Sequence, residues 1–369
     1  METRCPAIEH PDLPRADPAL LDGLIERLAD PAPITGTEAF ALGTLQPDGR
    51  VDLCKQGLRG EGLARLLPAL FASSHAVHLL LGTNGLGDAA AFALPEGHGL
   101  RTLYLGCNRI SAEGATAVAG HLADDTEVRA LWLKRNPVGD AGVLALAAML
   151  RRNTTLRTLD LVNTGVTGTG LRALLEALLD RPAPIERLFL GGNGLGPDVA
   201  GVLAALVREA GVRELYLPSN HLGDEGAAIL AAAADPARPL RLGLGGNGLT
   251  AAGVTALAAA LPGLESLDLG RPPSQRALGA PDNVIGDEGV TALAAALPGS
   301  PISRLELRHT SFTGRAAKAL LGSVREGTRL EYVGLGPGLP RKVKRGLAGH
   351  LRPAAPVHPD LHAIGSVYR

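Results

Sequence analysis

The fold is decided by the stretch Leu100-Arg-Thr-Leu103-Tyr-Leu105-Gly-Cys-Asn108-Arg-Ile110, where apolar residues recur around one asparagine. Its L-x-L part alternates, which is typical of a short strand with leucines on one face and the intervening residues on the other. The stretch continues into Ser-Ala-Glu-Gly-Ala-Thr-Ala-Val, an alanine-rich pattern that favours a helix. One copy therefore predicts a strand followed by a helix.

The same pattern recurs along most of the chain, with the asparagine as its marker. The markers are Asn84, Asn108, Asn136, Asn193, Asn220, Asn247 and Asn283, and Gln56, Thr164, Thr310 and Gly338 hold the equivalent place in further repeats. Successive markers are mostly 27 to 29 residues apart, with one interval of 24. About ten or eleven repeats in phase predict an elongated array in which each repeat packs against its neighbours.

This pattern resembles the leucine-rich repeat family. A period of 27 to 29 residues with a full helix in each repeat resembles its ribonuclease-inhibitor-like branch, which includes Ran GTPase activators and the repeat domains of nucleotide-binding immune receptors. The resemblance implies an α/β horseshoe with a parallel β-sheet on the concave face and α-helices on the convex face. It implies less about function, because the branch shares a scaffold rather than a chemistry.

Three regions are predicted. Residues 1–49 form an N-terminal cap, residues 50–339 carry the repeats, and residues 340–369 form a C-terminal helix and tail. Within the cap, Asp17-Pro18 should begin a helix, and a following strand should fold back on the first repeat strand. Residues 271–282 interrupt the period directly after a strand, and they are either a tolerated surface loop or a binding loop.

Two sets of polar residues are predicted to hold the repeats together. The marker asparagines should be buried and should satisfy backbone groups where each strand ends. An aspartate four residues after the marker stands just before the helix of its repeat, and where it is missing a serine or threonine stands three residues after the marker. Either residue should accept the exposed N–H groups in the first turn of that helix. The aspartates are Asp88, Asp140, Asp224 and Asp287, and the hydroxyl residues are Ser111, Thr167, Thr250 and Thr313.

Composition excludes several classes of function. A formal net charge of −1 and a pI near 6.8 argue against bulk nucleic-acid binding and against a polybasic membrane surface. The three cysteines give neither a disulfide framework nor paired zinc spacing, and no apolar run reaches the ~20 residues of a membrane span. We therefore expect a cytoplasmic monomer without cofactor or metal. Scarce lysine beside abundant Arg, Ala, Gly and Pro suits a bacterial source.

Aromatic and charged residues occupy strand positions that should point away from the core. The position four before the marker supplies Tyr104, Trp132, Asp160, Phe189, Tyr216, Asp268 and Glu306, and the positions beside it supply Lys134, Arg135, Arg187, Arg241 and Arg308. Rings flanked by arginines match the composition of protein-binding hot spots. We predict that these residues bind a protein partner in the concave groove, with an exposed Trp132 as anchor; alternatively, the rings only shield one another and the sheet.

The leading functional hypothesis is a non-enzymatic protein-interaction module. A GTPase-activating regulator resembling the Ran activators is the alternative, although their acidic tail is absent from this chain. An enzyme resembling repeat-bearing ubiquitin ligases ranks lower, because no cysteine follows the last repeat. A sugar- or peptidoglycan-sensing module also ranks lower, because a cytoplasmic setting is expected. His75 and His78 lack further ligands, and no nucleophile–base pair is evident, so no catalytic residues are predicted.

Overall fold

The computed structural model describes residues 14–92, 94–272 and 278–368, with the side chain of residue 368 excluded. The chain divides into two compact units. Unit 1 contains Met1–Ile185 together with Val357–Arg369, and unit 2 contains Glu186–Pro356. The last residues of the chain therefore belong to the unit in which the chain begins.

Unit 1 is built on a sheet of short strands. These are β1 (Glu38–Ala39), β2 (Thr44–Leu45), β3 (Arg50–Asp52), β4 (His78–Leu80), β5 (Thr102–Tyr104), β6 (Ala130–Trp132) and β7 (Thr158–Asp160). Strands β1, β2 and β3 pair antiparallel, whereas β3 to β7 pair parallel in chain order. The helices are α1 (Asp22–Ala29), α2 (Arg59–Ala72), α3 (Ala112–Leu122), α4 (Gly139–Leu150) and α5 (Gly168–Leu179), with 3-10 turns at Pro18–Leu21 and Gly87–Ala90.

Unit 2 continues the pattern of one strand and one helix per repeat. Its strands are β8 (Arg187–Phe189), β9 (Glu214–Tyr216), β10 (Leu240–Gly243), β11 (Leu264–Asp268), β12 (Arg304–Glu306) and β13 (Tyr332–Gly334), all paired parallel in chain order. Its helices are α6 (Ala200–Arg208), α7 (Gly223–Ala231), α8 (Ala251–Ala259), α9 (Gly286–Ala296), α10 (Gly314–Arg325) and α11 (Arg341–Ala348), with 3-10 turns at Pro197–Val199 and Leu261–Gly263.

The predicted fold class is confirmed, because each unit is an open, mostly parallel sheet whose strands alternate with helices. The expected N-terminal helix is present and begins after Asp17, whose carboxylate accepts the Ala19 N–H. The strand expected to fold back on the first repeat is β2, which pairs antiparallel with β3. Among the described residues, no helix combines the length and apolar content that crossing a bilayer requires.

The core of a repeat combines the middle apolar residue of the strand, mostly leucine, with apolar residues of the helix, some of which are small. Leu131 is fully buried between its register partners Leu103 and Leu159. A Cβ added to Gly142 of α4 would lie 2.9 Å from the Cβ of Ala115 in α3. Small residues at such positions let the helices approach closely, which explains the alanine- and glycine-rich composition.

The asparagine ladder is confirmed. In the repeat of Asn136, the amide Nδ2 donates to the carbonyls of Leu105 (3.0 Å) and Leu133 (2.8 Å). The Oδ1 atom accepts the N–H groups of Asn108 (2.9 Å) and Ile110 (3.0 Å). This marker amide therefore joins its own strand to the preceding repeat.

The aspartates join neighbouring repeats rather than capping their own helices. Asp140 lies in the first turn of α4, which has no side-chain cap. Its carboxylate instead accepts the Thr167 N–H (2.8 Å) and hydroxyl (2.5 Å) of the next repeat, and Thr167 caps α5. The same link joins Asp88 to Ser111, Asp224 to Thr250 and Asp287 to Thr313.

The insertion at residues 271–282 is closed at its base by an ion pair. The guanidinium of Arg271 donates to both carboxylate oxygens of Asp282, at 2.9 and 2.7 Å. Residues 273–277 of this insertion lie outside the described residues. After α11, the chain returns to unit 1 and forms the five-residue helix α12 (Pro359–Ala363) and a 3-10 turn at Gly365–Tyr368.

Candidate functional site

The sheet face opposite the repeat helices, here called the strand face, carries two rows of side chains in each unit. Strand register aligns the position four before the marker in one row and the position six before it in the other. In unit 1 the first row is Asp52, Leu80, Tyr104, Trp132 and Asp160, and the second is Arg50, His78, Thr102, Ala130 and Thr158. The register predicted from the repeat pattern is therefore correct for these residues.

The expectation that these side chains are exposed is wrong for the middle of unit 1. Tyr104, Trp132 and Asp160 expose only 2%, 1% and 1% of their surface. Lys134 and Arg135 are half-buried beside them. Trp132 is therefore not an exposed anchor for a partner.

The C-terminal segment, residues 358–367, contacts the strand face of unit 1. Asp360 of α12 accepts a 2.7 Å hydrogen bond from the hydroxyl of Thr158 on β7. Two residues later, the carbonyl of His362 accepts a 2.9 Å bond from Arg50 on β3. The segment therefore contacts both outermost strands of the parallel part of unit 1, and its own Ala363 and Ile364 are buried.

On the strand face of unit 1, rings and charges pack tightly. The Tyr104 ring lies over the backbone of Gly82 and Gly106. A Cβ added to Gly82 would lie 2.4 Å from Cε1 of the ring, and one added to Gly106 would lie 3.0 Å from the Tyr104 hydroxyl. The Lys134 ammonium lies 5.5 Å from the centroid of that ring. Burial raises the pKa of Asp160 to about 6, although the Lys134 charge opposes the rise.

The strand face of unit 2 is more accessible and carries an aromatic stack. Phe189 and Tyr216 face each other across β8 and β9, with ring centroids 4.6 Å apart and planes inclined by 11°. Both rings are half-buried. The Tyr216 ring leans over Gly243, where an added Cβ would lie 2.9 Å from the ring.

A network of charges supports this stack from the adjacent row. Glu214 is buried; it accepts a 3.0 Å hydrogen bond from the Tyr216 hydroxyl and lies 2.9 Å from Nε of Arg187. Nη1 of Arg241 lies 3.7 Å from Oε1 of Glu214, and its Nη2 lies 2.6 Å from Oε1 of Glu265. The prediction of Arg187 as an exposed contact is wrong, because this residue packs on Glu214 and is only 5% exposed.

A second cluster lies around Glu306. Its carboxylate accepts bonds from the Tyr332 hydroxyl (2.8 Å) and from Nε of Arg308 (2.9 Å). Arg304 stacks over the Tyr332 ring at 4.6 Å from the centroid. Arg308, Arg304 and the nearby Asp268 are exposed. Tyr332 is absent from the predicted site. It stands six residues before the Gly338 marker, in the same row as Arg187 and Glu214, and this repeat position could have identified it.

Comparisons with known proteins agree with this architecture. A family model described as Leucine Rich repeat matches residues 99–119, 152–175 and 282–294. A chain in the crystal structure of the yeast Rad7–Elc1 complex aligns with a TM-score of 0.54 at 15% sequence identity, covering 91% of this chain and 81% of that chain. The chain has a leucine-rich-repeat fold.

Two further comparisons complete this picture. The leucine-rich repeat-containing protein LegL7 from Legionella pneumophila aligns with a TM-score of 0.48 at 17% identity, covering 76% of this chain and 92% of that chain. No curated protein sequence matches the chain. At these identities the structural likeness concerns the leucine-rich-repeat fold alone.

The described part of the chain brings one set of three metal-ligating residue types together. His98, Asp125 and Glu127 each offer one ligand atom within 4.8 Å of the others. However, Nδ1 of His98 accepts the Leu100 N–H at 2.9 Å, and its Nε2 lies 3.0 Å from Asp125. The carboxylates likewise accept backbone N–H groups. The cluster therefore acts as hydrogen-bonded support for the loops before β5 and β6.

The other candidate reactive groups are engaged in separate contacts. His75 bonds the carbonyl of Asp30 at 2.7 Å, whereas His78 bonds the hydroxyl of Thr102 at 2.8 Å. Burial, reinforced by the nearby carboxylate of Asp52, raises the pKa of the Cys54 thiol. A raised pKa keeps a thiol protonated and weakly nucleophilic.

Proposed function

We propose that the protein is a non-enzymatic protein-interaction module that binds a partner protein on the strand face of unit 2. The observation that carries this proposal is the stacked pair Phe189–Tyr216. Both rings are half-exposed and lie on the sheet face opposite the leucine core, so the core does not require them. Tyrosine and arginine are enriched at the energetic centres of protein interfaces. Arg241 lies beside the stack, and Asp268, Glu306 and Arg308 supply polar groups on or just after later strands of the same sheet, as the rim of such an interface requires.

The charges beneath the stack favour recognition over catalysis. Glu214 is held by the Tyr216 hydroxyl and by the two flanking arginines, and Glu306 is held by Arg308 and Tyr332. Groups fixed in this way keep the rings in one orientation before a partner arrives. A preorganised surface loses less conformational entropy on binding.

Several broader features accompany this proposal. The yeast chain with a similar fold was solved as part of a Rad7–Elc1 complex, which offers a precedent for a protein partner. The repeat length supports placement in the ribonuclease-inhibitor-like branch, and the cysteine usage and lysine-poor composition support a cytoplasmic, bacterial setting. We propose a monomer, with residues 1–49 as cap, 50–339 as repeats and 340–369 as C-terminal helix and tail.

Affinity capture with matched variants tests the proposal. The wild-type protein, Tyr216→Ala and the control Lys318→Ala on α10 are compared as baits in lysate of the native organism, with bound proteins quantified by mass spectrometry. We expect a protein that wild type and Lys318→Ala retain equally and that Tyr216→Ala loses by at least about tenfold, as hot-spot loss implies. Equal retention by all three baits would contradict the proposal.

A further inference from the structure

The C-terminal segment occupies the strand face of unit 1 as a ligand would. Two residues near its start are fixed by polar contacts. Asp360, itself 8% exposed, accepts from the Thr158 hydroxyl, while the His362 carbonyl accepts from Arg50. Arg50 is held in place by Asp48 at 2.6 Å. These contacts use one side-chain carboxylate and one backbone carbonyl of the segment.

The middle of the segment supplies the apolar contact. Ala363 and Ile364 are 1% and 2% exposed. The strand row that contains Thr158 begins with Arg50 and His78 and continues with three small, fully buried side chains, Thr102, Ala130 and Thr158. In unit 2 the equivalent row begins with Arg187, Glu214 and Arg241. The three small side chains leave more room for a covering peptide than arginine and glutamate would.

The segment also has the organisation of a tethered peptide. It follows six consecutive exposed residues, 352–357, that form neither helix nor strand. Its helix is started locally, because Pro359 stands at the first turn and His358 Nδ1 accepts the Asp360 N–H at 3.2 Å. Pro359 and the His358 contact favour helix formation at the start of the segment, and the tether raises its effective concentration at the face.

We propose that the strand face of β3 to β7 is a second peptide-binding site, which the C-terminal segment fills as an intramolecular ligand. The partner that displaces it is a peptide of the same chemistry. It carries an aspartate in the first turn of a short helix, followed three and four residues later by a small and an apolar side chain. Its carboxylate accepts a hydrogen bond from the Thr158 hydroxyl, and its two apolar side chains cover Trp132 and Tyr104. This site goes beyond the proposed function, since it lies on unit 1.

Amide hydrogen exchange on the wild-type protein is the first test. The amides of Leu361 and His362 bond the carbonyl of His358, and the amide of Leu133 bonds the carbonyl of Asp160 beneath the segment. A displaceable segment opens locally, so its amides should exchange at least about 100-fold faster than that of Leu133. Equal exchange would mean that the segment opens only with the whole unit, and would overturn the proposal.

Peptide binding to the full chain is the second test. A labelled peptide of residues 357–367 is titrated into wild type and into Asp360→Ala, which weakens the internal competitor. We expect at least about tenfold tighter binding to Asp360→Ala, since a filled site reduces apparent affinity. The same peptide with alanine for aspartate should bind more weakly, and adding Thr158→Val to the Asp360→Ala chain should remove the difference between the two peptides.

Trp132 is the only tryptophan, so its fluorescence reports the state of the face. Its emission should move to longer wavelength in Asp360→Ala and return when the peptide binds. Equal affinity for the two chains, absence of binding, or loss of the folded state in Asp360→Ala would each overturn the proposal. The Tyr216→Ala variant should bind this peptide as wild type does. Failure of the unit 1 site can therefore be distinguished from failure of the unit 2 site.

Discussion

The hydroxyl of Thr158 donates a 2.7 Å hydrogen bond to Oδ2 of Asp360, a residue 202 positions later in the chain. Both residues are buried, although Thr158 lies on the strand face rather than in the leucine core. On the same face of unit 1, the buried rings of Tyr104 and Trp132 form a second core layer. Unit 2 keeps its aromatic pair half-exposed instead.

The buried ring of Trp132 should contribute to stability. Replacing it by alanine removes a large side chain that is 1% exposed, which should lower the free energy of unfolding by about 3–5 kcal/mol. Urea denaturation followed by circular dichroism measures the change. The control Leu144→Ala, on a residue that is 48% exposed, should change little; an equally small effect of Trp132→Ala would contradict the second core layer.

The asparagine ladder should be costly to break. Asn136→Leu removes partners from four buried backbone groups, those of Leu105, Leu133, Asn108 and Ile110. We expect a loss of about 2–4 kcal/mol in the free energy of unfolding, measured by urea denaturation. Pro137→Ala, at the exposed neighbouring position, is the control; equal stability of the two variants would show that the amide is dispensable.

The buried carboxyl of Asp160 should make stability depend on pH. Because its pKa is raised from 3.8 to about 6 in the folded state, the folded protein binds the proton more tightly than the unfolded chain. Stability from this group is therefore full below about pH 4 and declines as the pH rises to about 6, by on the order of 3 kcal/mol. Asp160→Asn should lack that decline, whereas the exposed control Glu113→Gln should retain it. Parallel pH profiles of Asp160→Asn and wild type would contradict the assignment.

The aspartate–threonine link should couple neighbouring repeats. Asp140→Ala removes the acceptor for the Thr167 N–H and hydroxyl, and should cost about 1–2 kcal/mol of unfolding free energy. In a double-mutant cycle, Thr167→Ala should cost less in the Asp140→Ala background than in wild type. Strict additivity of the two losses would show that the residues act independently.

Much of the architecture follows from local pattern. The L-x-L segments predict the strand register, so the amino-acid sequence alone places Tyr104, Trp132 and Asp160 in one row and assigns the marker asparagines to a buried role. These predictions succeed because each repeat contacts mainly its neighbours, which makes its environment periodic. The prediction that the aspartates cap helices of their own repeats is wrong, because their partners lie one repeat further on.

The contacts of the C-terminal segment with the unit 1 strand face could not be derived in the same way. They join residues more than two hundred positions apart, Thr158 with Asp360 and Arg50 with His362, and periodicity carries no information about them. The sequence contains one indirect indication. Thr102, Ala130 and Thr158 are small where the next three repeats carry Arg187, Glu214 and Arg241, and small residues on a strand face are compatible with a covering segment.

Site-specific photo-crosslinking tests partner binding on the strand face of unit 2 most directly. A photoreactive phenylalanine analogue replaces Tyr216 in one variant and Lys318, on the exposed surface of α10, in another. The account predicts a crosslinked partner from position 216, lost when Phe189→Ala is added, and no crosslink to that partner from position 318. A partner that crosslinks from position 318 but not from 216 would place binding on the helices and contradict the account.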